Sequence, residues 1–175
     1  DFLPYLHVDA DAVKEGPSTV CDGRGVFAAR DLKPHELVTL YPATNELSLR
    51  ADREDETSPA SVWRPETYAE PKPDYAMFNG NPQWASAALR IEADPNAPIQ
   101  PGFLGHLVND ASIPPTASDD IDAAQQYLVK TTNGTNCHAV PFPSGIVAIA
   151  ASKKIRAGEE LLMTYSFGFD KSFMD

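Results

Sequence analysis

Three stretches of this chain carry residue types that could do chemistry. They are a glycine pair at Gly23 and Gly25, an Asn109-Asp110 pair closely preceded by His106, and two tyrosines at strand ends, Tyr41 and Tyr165. The first stretch, Gly23-Arg24-Gly25-Val26-Phe27-Ala28, fits G-x-G-x-x-A. In a dinucleotide-binding turn such glycines follow a buried strand and open a helix, so that backbone N–H groups meet a pyrophosphate. Neither condition holds here. Gly16-Pro17-Ser18-Thr19-Val20-Cys21-Asp22 is no buried strand, and the residues after the glycines alternate until Lys33-Pro34. The acidic residue about 20 positions on is Glu46, and it follows no second parallel strand. A dinucleotide-dependent oxidoreductase is therefore set aside. The glycines keep one use, which is to let the backbone approach something closely.

The other candidates are ambiguous one at a time. A tyrosine at a strand end is often a half-buried sheet residue, and Asn-Asp is often a turn. A tyrosine ordinarily titrates near 10, so at neutral pH a phenol orients rather than ionises. His7, His35 and His138 read as structural. Cys21 and Cys137 form no C-x-x-C pair, and His138 cannot share a metal with its neighbour Cys137, so no metal site is expected.

The elements that must position these residues are short. Residues 24–32 and 37–41 read as strands, the second stopped by Pro42. Residues 52–74 are rich in charge and proline, a loop or loosely helical insert anchored by Trp63 and Tyr68. Residues 84–91 read as a strand, and residues 102–111 as a compact apolar segment. Residues 116–130 look helical, with Thr116 and Asp119 as a capping box and Ile121, Ala124, Gln125 and Leu128 on one face. Asn133-Gly134 ends that helix. Residues 140–143 and 145–151 form a hairpin, and a turn at Arg156-Ala157-Gly158-Glu159 leads into a last strand, 161–165. No internal repeat is visible. The pattern is mostly β.

The chain has 175 residues, 42% of them apolar, enough for one domain with its own core. Sixteen prolines argue for many turns. Fourteen basic against 25 acidic residues give a net charge of −11. Such a surface repels nucleic acid and anionic membranes and attracts basic partners; it serves solubility equally well. No apolar run reaches the roughly 18 residues of a membrane span. The first residues show neither Met nor a signal-peptide layout, which suggests a fragment or a processed chain. Two thiols suit an intracellular protein, nuclear and cytoplasmic alike, with a single disulfide as the alternative. Nothing signals an oligomeric state.

Three separated pieces, in order, resemble the SET-domain protein lysine methyltransferases. Gly23-Arg24-Gly25-Val26-Phe27-Ala28, followed by Leu32, Glu36-Leu37-Val38 and Tyr41, is similar to the family's "G-x-G-[VL]-[FR]-A … G-E-x-[VI]-x-x-Y" opening. Leu104-Gly105-His106-Leu107-Val108-Asn109-Asp110-Ala111 resembles "R-F-x-N-H-S", with Asn136-Cys137 as a delayed "P-N-C". Residues 155–165 are close to "I-x-x-G-E-E-L-x-x-x-Y". The resemblance implies one SET-like domain over 1–175. Its core motifs are 23–41, 102–111 and 136–165, with inserts at about 42–101 and 112–135. It implies a mostly β fold of several small sheets, a few short helices and a threaded, pseudoknot-like C-terminal segment.

The implied activity is methyl transfer from S-adenosylmethionine to a lysine ε-amine on a basic protein such as a histone tail. No direct nucleic acid or membrane binding is expected. Free lysine titrates near 10.4, so the site must favour the neutral amine, and a dry channel does this. By similarity, Gly23, Arg24 and Gly25 lie against the methionine part of the cofactor. Asn109 fixes its amino or adenine end, and the backbone of Asp110 holds the adenine. His106 stands beside the cofactor, and Asn81 adds a contact. Tyr165 orients the methyl group and amine, and Tyr41 lines the lysine channel. The chain departs from the pattern in three places. Asp110-Ala111 replaces His-Ser, the 112–135 insert carries Tyr127 as a groove-shaping candidate, and no cysteine-rich segment follows Phe169. Phe167, Phe169 and Phe173 are then candidates for the channel wall. A catalytically inactive SET-like binding module is the alternative function, with Asp110 its chief support.

Overall fold

The computed structural model describes residues 8–42, 44, 46–50, 62–63, 76–79, 88–113, 121–142 and 146–165. Eleven strands fall into four small sheets among these residues. β1 (Val13–Pro17) pairs antiparallel with β2 (Arg24–Ala28), placing Gly16 opposite Gly25. β3 (Leu37–Leu40), β10 (Val147–Ala151) and β9 (Cys137–Pro141) form a sheet in the order β3-β10-β9. β4 (Glu46–Arg50), β5 (Val62–Trp63), β6 (Ala76–Asn79) and β7 (Ala88–Glu92) form another, in the order β5-β4-β7-β6. β8 (Asn109–Asp110) and β11 (Leu162–Met163) pair in parallel, Asn109 with Leu162 and Asp110 with Met163. One α-helix, α1 (Ile121–Gly134), lies among the described residues.

The central strand β10, Val-Ala-Ile-Ala-Ala, is buried at all five positions, which explains its unbroken apolar run. Ile149, Leu32, Ile155, Leu161 and Val26 are fully buried in one core, which also takes Val38, Leu107 and Val108. Cys137 sits in that core, where burial pushes its thiol up to about 12. Cys21 is exposed, and both cysteines are free thiols, so the disulfide alternative does not hold.

Several sequence expectations change. The strand expected at 24–32 ends at Ala28, and that at 161–165 is reduced to Leu162–Met163. The strand expected at 84–91 is described from Ala88 and runs on to Glu92; residues 84–87 fall outside the described residues. β5 lies inside the stretch read as loop or loose helix; the Tyr68 anchor, the Trp63 side chain and the capping box fall outside the described residues. β1 had no sequence signature, because only its first residue is buried. The helix faces another way. Its buried residues are Tyr127 and Thr131, while Ile121 and Leu128 are exposed.

A repeat that the sequence reading did not find appears in three dimensions. Lys33-Pro34-His35-Glu36 and Arg156-Ala157-Gly158-Glu159 are the same turn. In each, the glutamate N–H donates to the carbonyl three residues back (3.2 and 3.0 Å), and its carboxylate accepts the N–H of the first residue (2.8 Å in both). Gly158 has φ 87° and His35 has φ 66°. The two turns meet through paired backbone bonds between Leu32 and Ile155.

Residues 159–163 run between two walls. On one side Ala28 N–H donates to Glu159 O (2.9 Å) and Leu161 N–H to Val26 O (2.7 Å). On the other stand β8 and Asn136. The Asn136 backbone N–H donates to Leu162 O (2.9 Å), its Nδ2 donates to Glu160 O (2.7 Å), and its Oδ1 accepts Leu162 N–H (2.8 Å). The C-terminal segment is thus threaded, and it brings Tyr165 to β8.

Candidate active site

The site begins at Thr39. Its buried hydroxyl donates to Gly102 O (3.0 Å) and accepts Leu104 N–H (2.8 Å), which ties β3 to the segment leading into β8. The next turn, a 3₁₀ helix at Gly105–Leu107, packs on the backbone of Leu40 and Tyr41. A Cβ on Gly105 would come within 2.9 Å of Leu40 O and 3.0 Å of Tyr41 Cα, so only glycine fits. That contact puts the His106 ring edge-on to Tyr41, with centroids 6.3 Å apart. Burial pushes His106 down to about 4, with the Arg24 charge acting the same way and Asp94 opposing, so the imidazole is neutral at pH 7. A cavity of about 260 Å³ opens beside it, lined by Pro42, Thr44, Asp94, Ile99 and Phe103 among others.

Asn109 lies at the centre of a second group. Its Nδ2 donates to Arg24 O (2.8 Å) and to Glu160 Oε1 (3.2 Å). An amide carries two N–H donors, so both are used within the protein and the carboxamide oxygen is what Asn109 can offer a ligand. Glu160 also accepts Ser18 Oγ (2.7 Å), Thr19 N–H (2.7 Å) and Thr19 Oγ1 (2.5 Å). Burial alone would raise this carboxyl; the bonds from Thr19, Ser18 and Asn109 outweigh it and hold Glu160 below the usual carboxylate range. A Cβ on Gly25 would overlap Glu160 Oε1. The close approach that Gly25 permits is therefore to Glu160, inside the protein.

The other expected residues divide. Arg24 contributes its carbonyl to Asn109, while its guanidinium turns to Glu15 (3.3 Å) and Pro95 O (2.6 Å). Gly23 stands apart: its carbonyl closes a turn by accepting Ser18 N–H (2.9 Å), and a Cβ there would meet only Cys21 Sγ, at 3.8 Å. Tyr165 joins Asn109 through the strand itself. Its hydroxyl donates to Val108 O (2.7 Å), and it is 37% exposed. Asp110 turns its side chain to the protein. Its carboxylate accepts the Tyr127 hydroxyl, Thr131 Oγ1 (2.6 Å), Ser112 N–H (3.0 Å) and Tyr165 N–H (3.1 Å). Tyr127 is buried, its hydroxyl pushed up by burial and then by Asp110, so it does not shape an open groove. Asn81, Phe167, Phe169 and Phe173 fall outside the described residues.

Sequence reading missed Glu160, Ser18 and Thr19, and did not give Asn136 its role. The signal for Glu160 was the doubled glutamate before Leu161: Glu159 closes the turn, so Glu160 faces inward. The donor set suits a cationic ligand with N–H donors. It offers a carboxamide oxygen, a phenol and an uncharged imidazole, with the nearest guanidinium turned away.

A family model described as the SET domain matches residues 23–166. Among solved structures, the fold is similar to a Plasmodium falciparum protein assigned as a histone methyltransferase. Identity is 16%, with 90% of this chain and 96% of that chain covered and a TM-score of 0.41. It is also similar to the methyltransferase domain of human PR domain-containing protein 2, at 15% identity, 93% and 82% coverage and a TM-score of 0.44. No curated protein matches the sequence.

Proposed function

This chain belongs to the SET-domain family, and on that footing we propose that it methylates a lysine ε-amine in a basic protein segment such as a histone tail. SET-domain methyltransferases generally use S-adenosylmethionine, which supplies an electrophilic methyl group, so that the amine lone pair forms the N–C bond as the S–C bond breaks with its electron pair left on sulfur. Asn109, its N–H donors spent on Arg24 O and Glu160, would hold the cofactor's amino group through its carboxamide oxygen. Tyr41 and the neutral His106 make a wall that adds no positive charge, which favours the uncharged amine. Tyr165, anchored on Val108 O, orients amine and methyl in line, and such alignment can supply much of the rate.

The observation that carries this reading is the meeting of the Tyr165 phenol with the strand holding Asn109, across the threaded segment. The acidic surface, net charge −11, suits a basic substrate. Asp110, the support for an inactive module, spends its carboxylate on four donors of the protein, and its charge is accounted for there.

The test is calorimetry with S-adenosylmethionine and with NAD, then labelled methyl transfer to a histone and peptide panel read by mass. The expectation is binding of the first ligand alone, and transfer that Tyr165→Phe strongly reduces while cofactor binding persists. Unchanged turnover in Tyr165→Phe removes that residue from its role. Binding without transfer to any substrate favours the inactive module.

A further inference from the structure

One residue of the proposed site is held through its backbone N–H, and its carbonyl packs against the hydroxyl of a neighbouring tyrosine. Tyr165 N–H donates to Asp110 Oδ2 (3.1 Å), and Tyr165 O lies 3.1 Å from the Tyr127 hydroxyl, which also donates to Asp110 Oδ2. The phenol end is fixed separately, on Val108 O. We propose that Asp110 and Tyr127 form a clamp that positions Tyr165, so that the inserted helix sets the rate of methyl transfer. This rests on the function proposed above.

Two features of α1 support the clamp. Its buried residues are Tyr127 and Thr131, both bonded to Asp110, while Ile121, Leu128 and Val129 are 59%, 41% and 61% exposed. A helix that only covered a core would turn its apolar residues inward. This one docks through polar groups onto a single carboxylate. The carboxylate is also divided by function. Oδ1 takes Thr131 and Ser112, whereas Oδ2 takes Tyr127 and Tyr165. A buried carboxylate is costly unless hydrogen-bonded; the four donors together offset that cost, and the pair on Oδ2 is what bears on the Tyr165 backbone. Asp110 is what gives the helix a handle on the tyrosine.

The division of oxygens supplies a control. Tyr127→Phe removes a donor on the Tyr165 side, and Thr131→Val removes one on the far side together with a long bond to Thr164 Oγ1 (3.4 Å), whose hydroxyl keeps Thr135 Oγ1 as its partner (2.8 Å). Both are read in the full chain by thermal unfolding, S-adenosylmethionine calorimetry, transfer kinetics and NMR of the Tyr165 backbone and ring. Both lower the melting temperature. Tyr127→Phe lowers kcat about tenfold, with KM and cofactor Kd changed by less than about twofold, whereas Thr131→Val leaves kcat within about twofold. The Tyr165 resonances shift in the first variant and hold in the second. Equal loss of kcat in both variants, or Tyr165 resonances unmoved in Tyr127→Phe, overturns the clamp. A wild-type protein that transfers no methyl group overturns the proposed function instead, and the resonances then decide the clamp alone.

Discussion

Gly25→Ala probes the centre of the site through its own packing. Glycine in the middle of a strand ordinarily costs about 0.5–1 kcal/mol relative to alanine. Gly25 lies within β2, so the naive expectation is a gain in stability. The surroundings reverse the sign. The added methyl would overlap Glu160 Oε1 and stand 3.0 Å from Glu160 Cδ and 3.3 Å from Asn109 Nδ2. A glutamate is flexible, so the clash itself is cheap to relieve. What resists is the set of bonds holding that oxygen, from Ser18 Oγ and Asn109 Nδ2. Hydrogen bonds to a charged acceptor contribute about 1.5 kcal/mol each at the low end. Losing two, less the recovered strand entropy, leaves a net cost of about 2 kcal/mol. In a chain of this size that lowers the melting temperature by about 4–8 °C.

The assay is thermal unfolding of Gly25→Ala, Glu160→Ala and the double variant. With Glu160 removed, the overlap has no partner, so Gly25→Ala becomes neutral or mildly stabilising in that background. The coupling between the two sites is then about 2–3 kcal/mol, the kind of non-additivity expected of residues in contact. An equal penalty in both backgrounds, or a Gly25→Ala protein as stable as wild type, refutes the argument that Glu160 dictates the glycine.

Two further outcomes follow from single residues. His35 occupies the left-handed region at φ 66°, where its twin turn has Gly158, so His35→Gly gains about 0.5–1 kcal/mol by chemical denaturation; a loss of stability rejects the strain argument. His106 titrates at about 4 when folded against 6.5 when unfolded, so between those values the unfolded chain binds the extra proton and stability falls with falling pH. By pH 5 the loss is about 2 kcal/mol, and His106→Gln flattens the profile from pH 6.5 to 5. The lowered Glu160 adds its own loss only below 4.5, as pH falls through its folded value, and an unchanged slope in His106→Gln would show another group at work.

What the sequence made legible were local patterns tied to backbone geometry. The Arg156-Ala157-Gly158-Glu159 turn, the apolar run of β10 and the ordered motifs placed Asn109 and Tyr165 on neighbouring segments. What stayed hidden was which polar side chain faces which, because that depends on partners far along the chain. Ser18 and Thr19 meet Glu160 across more than 140 residues, and no window contains both. Asp110 read as support for an inactive module, since its four donors, from Ser112, Tyr127, Thr131 and Tyr165, show only in three dimensions. The helix face was misjudged for the same reason: an apolar count picks Ile121 and Leu128, whereas docking onto a carboxylate selects Tyr127 and Thr131. The turn repeat was masked by His35 standing where its twin has glycine.

These polar burials answer the problem that threading creates. A threaded chain is rare, and closing loops over such separations is entropically costly and slow. A segment enclosed in a loop also cannot have full strands on both edges, yet its buried backbone groups still need partners. From Glu159 to Tyr165 the structure supplies them by alternating sources. Ala28 and Val26 offer backbone, Asn136 offers both ends of its amide, Ala111 offers an N–H to Met163 O (2.9 Å), and Asp110 takes Tyr165 N–H. Side chains stand in where strand backbone cannot reach. The Asn136 side chain serves the threaded segment alone, whereas Asp110 bonds both the helix, through Tyr127 and Thr131, and that segment, through Tyr165 N–H. On the clamp proposed above, Tyr165 is therefore the reporter for that shared carboxylate.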